Sequence, residues 1–281
     1  MIDTNRTPPA DDNFLSPGFR ARGETAAFEI NFLLHPDQAS QILELARQQM
    51  TLDPHCDPLK GEAYEVNGLY FDTEDLRVYR RVGTHAIHKL RLRRYGQSAG
   101  VFLEHKMKSK GRVKKRRTAI GDEEVPHLAA PKIPTGWQGL WFRRRMKARR
   151  VLPICEVSYL RTALAANHEG EVYRLTIDRQ LICRPFAGWE LRGVGEGRPL
   201  IDEGYILELK FCDTMPAFFK GLVADFQLSP QRLSKYRLSV DACGLAPRVV
   251  EPESALEPTA GSDLEQPRHE VEPQESAQRS L

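Results

Sequence analysis

No stretch of this 281-residue chain approaches the roughly 20 consecutive apolar residues that a membrane-crossing helix needs. The opening residues, MIDTNRTPPADDNF, hold no apolar leader core, so export is not expected and the cytoplasm is the expected location. Cysteine is scarce and scattered: Cys56, Cys155, Cys183, Cys212 and Cys243. An odd set without CxxC spacing supports neither a disulfide framework nor a zinc site, so reduced thiols are expected. The eight histidines show no metal-ligand spacing, and His88 and His105 are expected to face outward. There is no GxxxxGKS or GxxxxGKT loop and no Ser/His/Asp set. These absences disfavour a Walker-type ATPase and a covalent serine mechanism.

What is present is charge, unevenly placed. The net charge is +3, but residues 246–281 carry eight acids against three bases, a net −5, which leaves +8 in residues 1–245. The last 36 residues are rich in Pro, Glu, Ser and Gln and lack aromatics. That composition buries too little surface to offset ordering entropy, so residues 246–281 are expected to be a disordered acidic tail. Residues 1–21 are polar, with Pro8, Pro9 and Pro17, and are expected to be a flexible arm. With 41% hydrophobic residues, the remainder can build one sizeable core.

The densest cation run is KLRLRRYGQSAGVFLEHKMKSKGRVKKRR, from Lys89 to Arg117. Lys89, Arg91 and Arg93 alternate with Leu90 and Leu92, so on a strand they share one face. Phe102, Glu104, Lys106 and Lys108 repeat the device after a turn, and Val113–Arg117 follow a second turn at Gly111. The same two-faced pattern marks Phe28–Phe32, Tyr173–Asp178 and Ile206–Phe211. Five such strands suggest a sheet curled until its charged faces meet, with helices over the apolar exterior. Cations there would hold phosphates, and carboxylates among them would hold a hard divalent ion. Helices are predicted from Pro36 to Met50, from Glu74 to Arg81 behind an N-cap at Thr73, from Trp137 to Arg150, from Thr214 to Gln227, and briefly within 229–244. The base-rich end of the third, RRRMKARR, reads as a solvated face.

Eight short motifs occur in order: YFDT (70–73), KLRLRR (89–94), LEHK (103–106), GRVKKRR (111–117), YLRTA (159–163), RLTIDRQL (174–181), LELK (207–210) and LSKY (233–236). Together they resemble the VTC domain, the catalytic domain of polyphosphate polymerases, within the triphosphate tunnel metalloenzymes or CYTH superfamily. The resemblance spans roughly residues 22–245. It implies an α+β fold, an antiparallel eight-stranded β-barrel tunnel with a charged interior and helices packed outside. It further implies that Arg91, Arg93, Lys106, Lys115, Arg161, Arg174 and Lys210 line the bore, hold phosphates and act in transfer. Tyr159 would hydrogen-bond a phosphate oxygen, Arg117 would add to the substrate contacts, and Arg232, Ser234 and Lys235 would close one end. Glu208 would bind Mg²⁺ or Mn²⁺, with Glu104 and Glu29 the other candidate carboxylates. Whether Lys115 or Lys114 faces the bore depends on one step of register. Asp178 reads as an ion-pair partner of Arg174 or Arg161.

The first strand departs from the family's ExExK hallmark, since Asn31 stands where a lysine is usual. The activity implied is transfer of the ATP γ-phosphate to a growing polyphosphate chain. Hydrolysis of tripolyphosphate or nucleoside triphosphates on the same ligands is one alternative, and non-catalytic polyphosphate binding is another. Nucleic acid is disfavoured, because the basic run offers only Tyr95 and Phe102 for stacking. ATP and inorganic polyphosphate are the expected partners, and passage of product across a membrane would need a separate membrane protein.

Overall fold

The computed structural model describes residues 28–246, apart from 97, 110, 111 and 169. The expected arm at 1–21 and the expected tail at 246–281, from residue 247 on, lie outside the described residues. Ten strands form one antiparallel sheet: β1 (Phe28–Leu34), β2 (Thr51–Leu52), β3 (Tyr64–Asp72), β4 (His88–Tyr95), β5 (Val101–Ser109), β6 (Arg112–Ile120), β7 (Leu152–His168), β8 (Glu171–Pro185), β9 (Arg198–Pro199) and β10 (Tyr205–Phe211). The helices are α1 (Pro36–Arg47), α2 (Leu140–Arg149), α3 (Ala217–Asp225) and α4 (Lys235–Ala242). The main path runs β1-β10-β8-β7-β3-β4-β5-β6, with β2 on β7 and β9 on β8.

Period-two patterning explains both faces. On one, Phe32, Leu34, Leu175, Ile177, Leu207 and Leu209 pack against Ala39, Ile42 and Ala46 of α1 and Phe219 and Leu222 of α3. Further along the same face, Leu69, Phe71, Leu90, Leu92 and Leu103 pack against Phe142 and Met146 of α2. Helix α1 starts sharply because His35 and Gln38 form a reciprocal cap ahead of Pro36. On the other face, α4 covers one region, where Tyr236, Val240 and Cys243 meet Tyr70, Cys155, Val157, Tyr159 and Cys183.

The sheet curls but does not close. Its edge strands are β1 and β6, and no ladder joins them among the described residues. Curling is shown by Lys106 of β5 reaching Glu29 of β1 at 2.6 Å, although five strands separate them along the sheet. At the β1 edge, the Asn31 carbonyl accepts from the Gln231 amide at 2.8 Å, so the segment leading into α4 takes a place the closing strand would need. The expected closed eight-stranded barrel is therefore corrected to an open, curled ten-stranded sheet.

The predicted helix at 74–81 is also absent. Asp72, fully buried, accepts from the amides of Thr73, Val78 and Tyr79 at 2.7, 2.7 and 2.9 Å, and this holds the segment as successive turns. Those bonds compete with a helical ladder for the same donors.

Candidate functional site: a cation-lined cavity

Alternation on each strand sends one set of its charged residues to the concave face. Arg91, Arg93 and Tyr95 come from β4, Lys115 from β6, Arg161 from β7, and Val172, Arg174 and Thr176 from β8. Glu208 and Lys210 of β10 and Glu29 of β1 complete the lining of a cavity of ≈ 100 Å³. Antiparallel register fixes the neighbours: Arg91 stands opposite Glu104, Glu104 opposite Arg117, and Lys106 opposite Lys115. Glu208 stands opposite Thr176 on one side and Asn31 on the other.

Three carboxylates hold most of these cations apart. Glu104, 1% exposed, meets Arg91 Nε at 2.6 Å, Lys115 Nζ at 2.8 Å and Arg117 Nε at 3.0 Å. Burial alone would raise its carboxyl, but Arg91, Lys115, Arg93 and Arg117 outweigh that and hold it well below the usual carboxylate range. Asp178 accepts two bonds from Arg161, at 2.6 and 2.8 Å, and one contact from Lys235 at 2.7 Å. Burial opposes its ionisation, yet Arg161 and Lys235 bring it down to about 2. Glu29 pairs with Lys106 at 2.6 Å and Lys210 at 3.7 Å. Its carboxyl, which burial would raise, is held at about 2 by those lysines and Arg91. Arg174 is tied outside this set, to Asp53 at 2.8 Å and the Tyr64 hydroxyl at 3.0 Å. Burial lowers the Lys115 amine despite Glu104 beside it.

Glu208 differs from all three. It faces the cavity and makes no ion pair among the described residues. Beside it the buried Thr176 hydroxyl lacks a hydrogen-bond partner. A carboxylate and a hydroxyl facing wet space are oxygen donors of the type a hard divalent ion prefers, with phosphate oxygens free to complete the shell. Among the described residues, no cluster of three or more His, Cys, Asp or Glu could alone cage a metal.

The remaining candidates sit around the cavity rather than in it. The Tyr159 ring is buried beneath Arg161 (5.4 Å) and Lys235 (5.0 Å), and its hydroxyl has no partner. Burial raises that hydroxyl above its ordinary value. Arg117 lies over the Phe102 ring at 4.0 Å. Ser234 is the half-buried N-cap of α4, directly before Lys235. Arg232 is exposed and is not among the residues that line the cavity. Lys115 lines it. Asp178 pairs with Arg161, one of its two expected partners.

Sequence reasoning missed Tyr95, Thr176 and Asp53. Tyr95 continues the alternation of Lys89, Arg91 and Arg93, so it was legible; Asp53 lies in a loop, where no periodicity points inward. His88 and His105 do sit on the outer face, but buried: their rings stack with centroids 5.0 Å apart and ring nitrogens 2.8 Å apart.

A model of the VTC domain family matches residues 26–243. No curated protein matches the chain. Among solved structures, a putative adenylate cyclase from Bacillus halodurans is 15% identical, with a TM-score of 0.42, covering 73% of this chain and 92% of its own. A putative adenylyl cyclase from Hippeastrum, described as having a dominant triphosphatase activity, is 16% identical with a TM-score of 0.45, covering 76% and 95%. The PH1819 protein of Pyrococcus horikoshii is 12% identical with a TM-score of 0.41, covering 76% and 99%.

Proposed function

This chain belongs to the VTC domain family, and from that premise we propose that it is a polyphosphate polymerase, moving the γ-phosphoryl group of ATP onto the end of a polyphosphate chain inside the cationic tunnel. The observation that carries the reading is the lining itself: Arg91, Arg93, Lys115, Arg161, Arg174 and Lys210 converge on one cavity, with Glu208 left unpaired among them.

Phosphoryl transfer asks for in-line positioning and charge neutralisation more than for covalent chemistry. Arginines at 91, 93 and 161 offer planar forks that hold phosphate oxygens in fixed directions, while Lys115 and Lys210 act as point charges. Incoming phosphates replace the resident carboxylates as partners, so each phosphate gained is partly offset by an ion pair lost. The acceptor is a phosphate oxyanion that needs little deprotonation near neutral pH. That fits a described lining without histidine. Glu208, with Thr176 beside it, would hold Mg²⁺ or Mn²⁺, which supplies charge neutralisation on the transferring group. Glu104 and Glu29 are less available for this, since each already serves cations. Asn31 opposite Glu208 explains in part why that carboxylate is unpaired: a lysine there would stand where it could neutralise it.

The test is purified protein with ATP and Mn²⁺, followed by a gel stained for polyphosphate. Long polymer plus ADP is expected. Orthophosphate without polymer would establish the hydrolytic alternative, and neither product would leave a binding protein. Glu208→Gln should stay folded, bind ATP and make almost no polymer at any Mn²⁺ concentration. Near-normal synthesis by that variant would overturn the Glu208 assignment.

A further inference from the structure

A second basic surface lies on the outside of the sheet. The C-terminal half of α2 and the turns at 73–85 enclose a groove of ≈ 1320 Å³. Arg145, Lys147, Arg149 and Arg150 line it from the α2 side and Arg77 and His85 from the turns. The two walls are tied where His85 Nε2 donates to the Arg149 carbonyl at 3.2 Å.

Three observations separate this groove from an ordinary solvated helix face. First, in the tunnel most cations have a carboxylate partner, whereas among the described residues none of Arg145, Lys147, Arg149 and Arg150 makes an ion pair. The two acids on the wall, Glu74 and Asp75, do not reach them; Asp75 instead contacts Arg77 at 3.5 Å. Second, Arg150 ends α2 in the left-handed region at φ 52°, a position where glycine or asparagine is less strained. The chain keeps a cation where a neutral residue would suit the backbone better. Third, the groove borders the tunnel's own cations. Thr84 and His85 belong to the turn Gly83–Ile87 that leads into β4, whose first cation is Lys89, on the same strand face as Arg91 and Arg93. Desolvation lowers the Lys89 amine, Tyr70 opposes that, and Lys106, Arg91 and the exposed Arg81 of the same turn segment lower it further. Cationic side chains thus continue from α2 through Arg81 to Lys89 at the start of β4.

We infer that this outer groove holds the part of an inorganic polyphosphate chain that lies beyond the tunnel. The inference rests on the polyphosphate reading of the tunnel. A flexible chain with about one charge per phosphate suits closely spaced cations without base-reading features. The groove presents no Phe, Tyr or Trp, so it offers no extended stacking platform for nucleic-acid bases. A chain held at both places gains through effective concentration, as a bivalent ligand does.

The test compares full-length protein with the variant Arg145→Gln, Lys147→Gln, Arg149→Gln. Glutamine keeps helix propensity and removes charge. A control variant, Arg47→Gln, Lys132→Gln, Lys220→Gln, loses the same formal charge elsewhere on the surface. Binding of polyphosphate of about 100 units and of tripolyphosphate is measured by titration at fixed salt, since counterion release makes affinity salt-dependent. The groove variant should lose about tenfold or more in long-chain affinity. Its tripolyphosphate affinity and melting temperature should not change, and the control should keep its long-chain affinity. An unchanged long-chain affinity, or equal loss in both variants, would overturn the proposal. Single-stranded RNA bound more tightly than polyphosphate of equal charge, and weakened by the same substitutions, would also overturn it. Failure of wild-type protein to make polymer, with groove-dependent long-chain binding intact, would instead count against the polymerase reading alone.

Discussion

Glu104 and Glu208 are residues of one type on one concave face, and their partners give them opposite jobs. Glu104 sits between Arg91, Lys115 and Arg117 with almost no exposure. Removing its charge leaves three cations facing one another. Breaking a buried network in this way typically costs about 3–5 kcal/mol. Glu104→Gln should therefore lower the denaturant midpoint clearly, while Glu208→Gln should leave it almost unchanged. Similar midpoints for both would remove the distinction. Tyr95 gives a second check. Burial would raise its hydroxyl, but Arg93, Arg117 and Lys115 outweigh that and bring it down to about 8. Phenolate then forms in the cavity as pH rises through 8 and adds negative charge where phosphates are proposed to bind. Triphosphate affinity should fall across that range, and Tyr95→Phe should flatten the profile. The same shift contributes stability that is fully present above the unfolded value near 10 and is lost as pH falls through about 8. An unaltered pH profile in Tyr95→Phe would place the titration elsewhere.

At the scale of elements, the strands were legible because period-two alternation was strong on each, and the meander from β4 to β6 spans what the pattern predicted. Of the long hairpin of β7 and β8, the two-faced pattern marks only Tyr173–Asp178, a part of β8. A register shift between Ser158 and Leu160 and the positive φ of Gln180 interrupt the alternation that marks a strand. The tunnel cations were readable for the same reason as the strands, whereas Asp53 was not, since a loop carries no period. Residues 74–81 look helical by composition, but Asp72 captures their amides, a contest that composition does not display. The lack of closure was hidden as well, because it depends on Gln231 meeting Asn31 across about 200 residues of sequence. Asp72 also joins this turn to α4, accepting from the Tyr236 hydroxyl at 2.6 Å. Helix α4 carries Lys235 to Asp178, which in turn holds the cavity residue Arg161. Tyr236→Phe leaves the ring stacked on Tyr70 but removes a bond to a buried carboxylate. Hydrogen bonds to charged groups contribute about 1.5–3 kcal/mol, and a loss of that order is expected in chemical denaturation. No measurable loss would mean that α4 is held by its apolar contacts alone.

For the whole molecule, the tunnel is an interior built from charge. Its cations outnumber its carboxylates, and the apolar clusters outside must hold the curled sheet against that repulsion. Acid should expose the balance. Glu29 and Asp178 are depressed to about 2, and Glu104 lies well below its ordinary value. Depressed carboxylates give stability that is present above the unfolded value near 4 and is lost as pH falls through the folded value. As they protonate, Arg91, Lys106, Lys115, Arg161 and Lys235 lose their partners together, so unfolding should be cooperative and fall between about pH 4 and about pH 2. A polyvalent anion that remains charged at that acidity should take over the carboxylates' role. Tripolyphosphate should then move the acid midpoint downward, by an amount that grows with its concentration as mass action requires, and added sodium chloride should weaken that protection. The measurement is circular dichroism against pH, with and without tripolyphosphate, at two salt concentrations. An acid midpoint insensitive to tripolyphosphate would mean that the tunnel cations do not govern the stability of the fold.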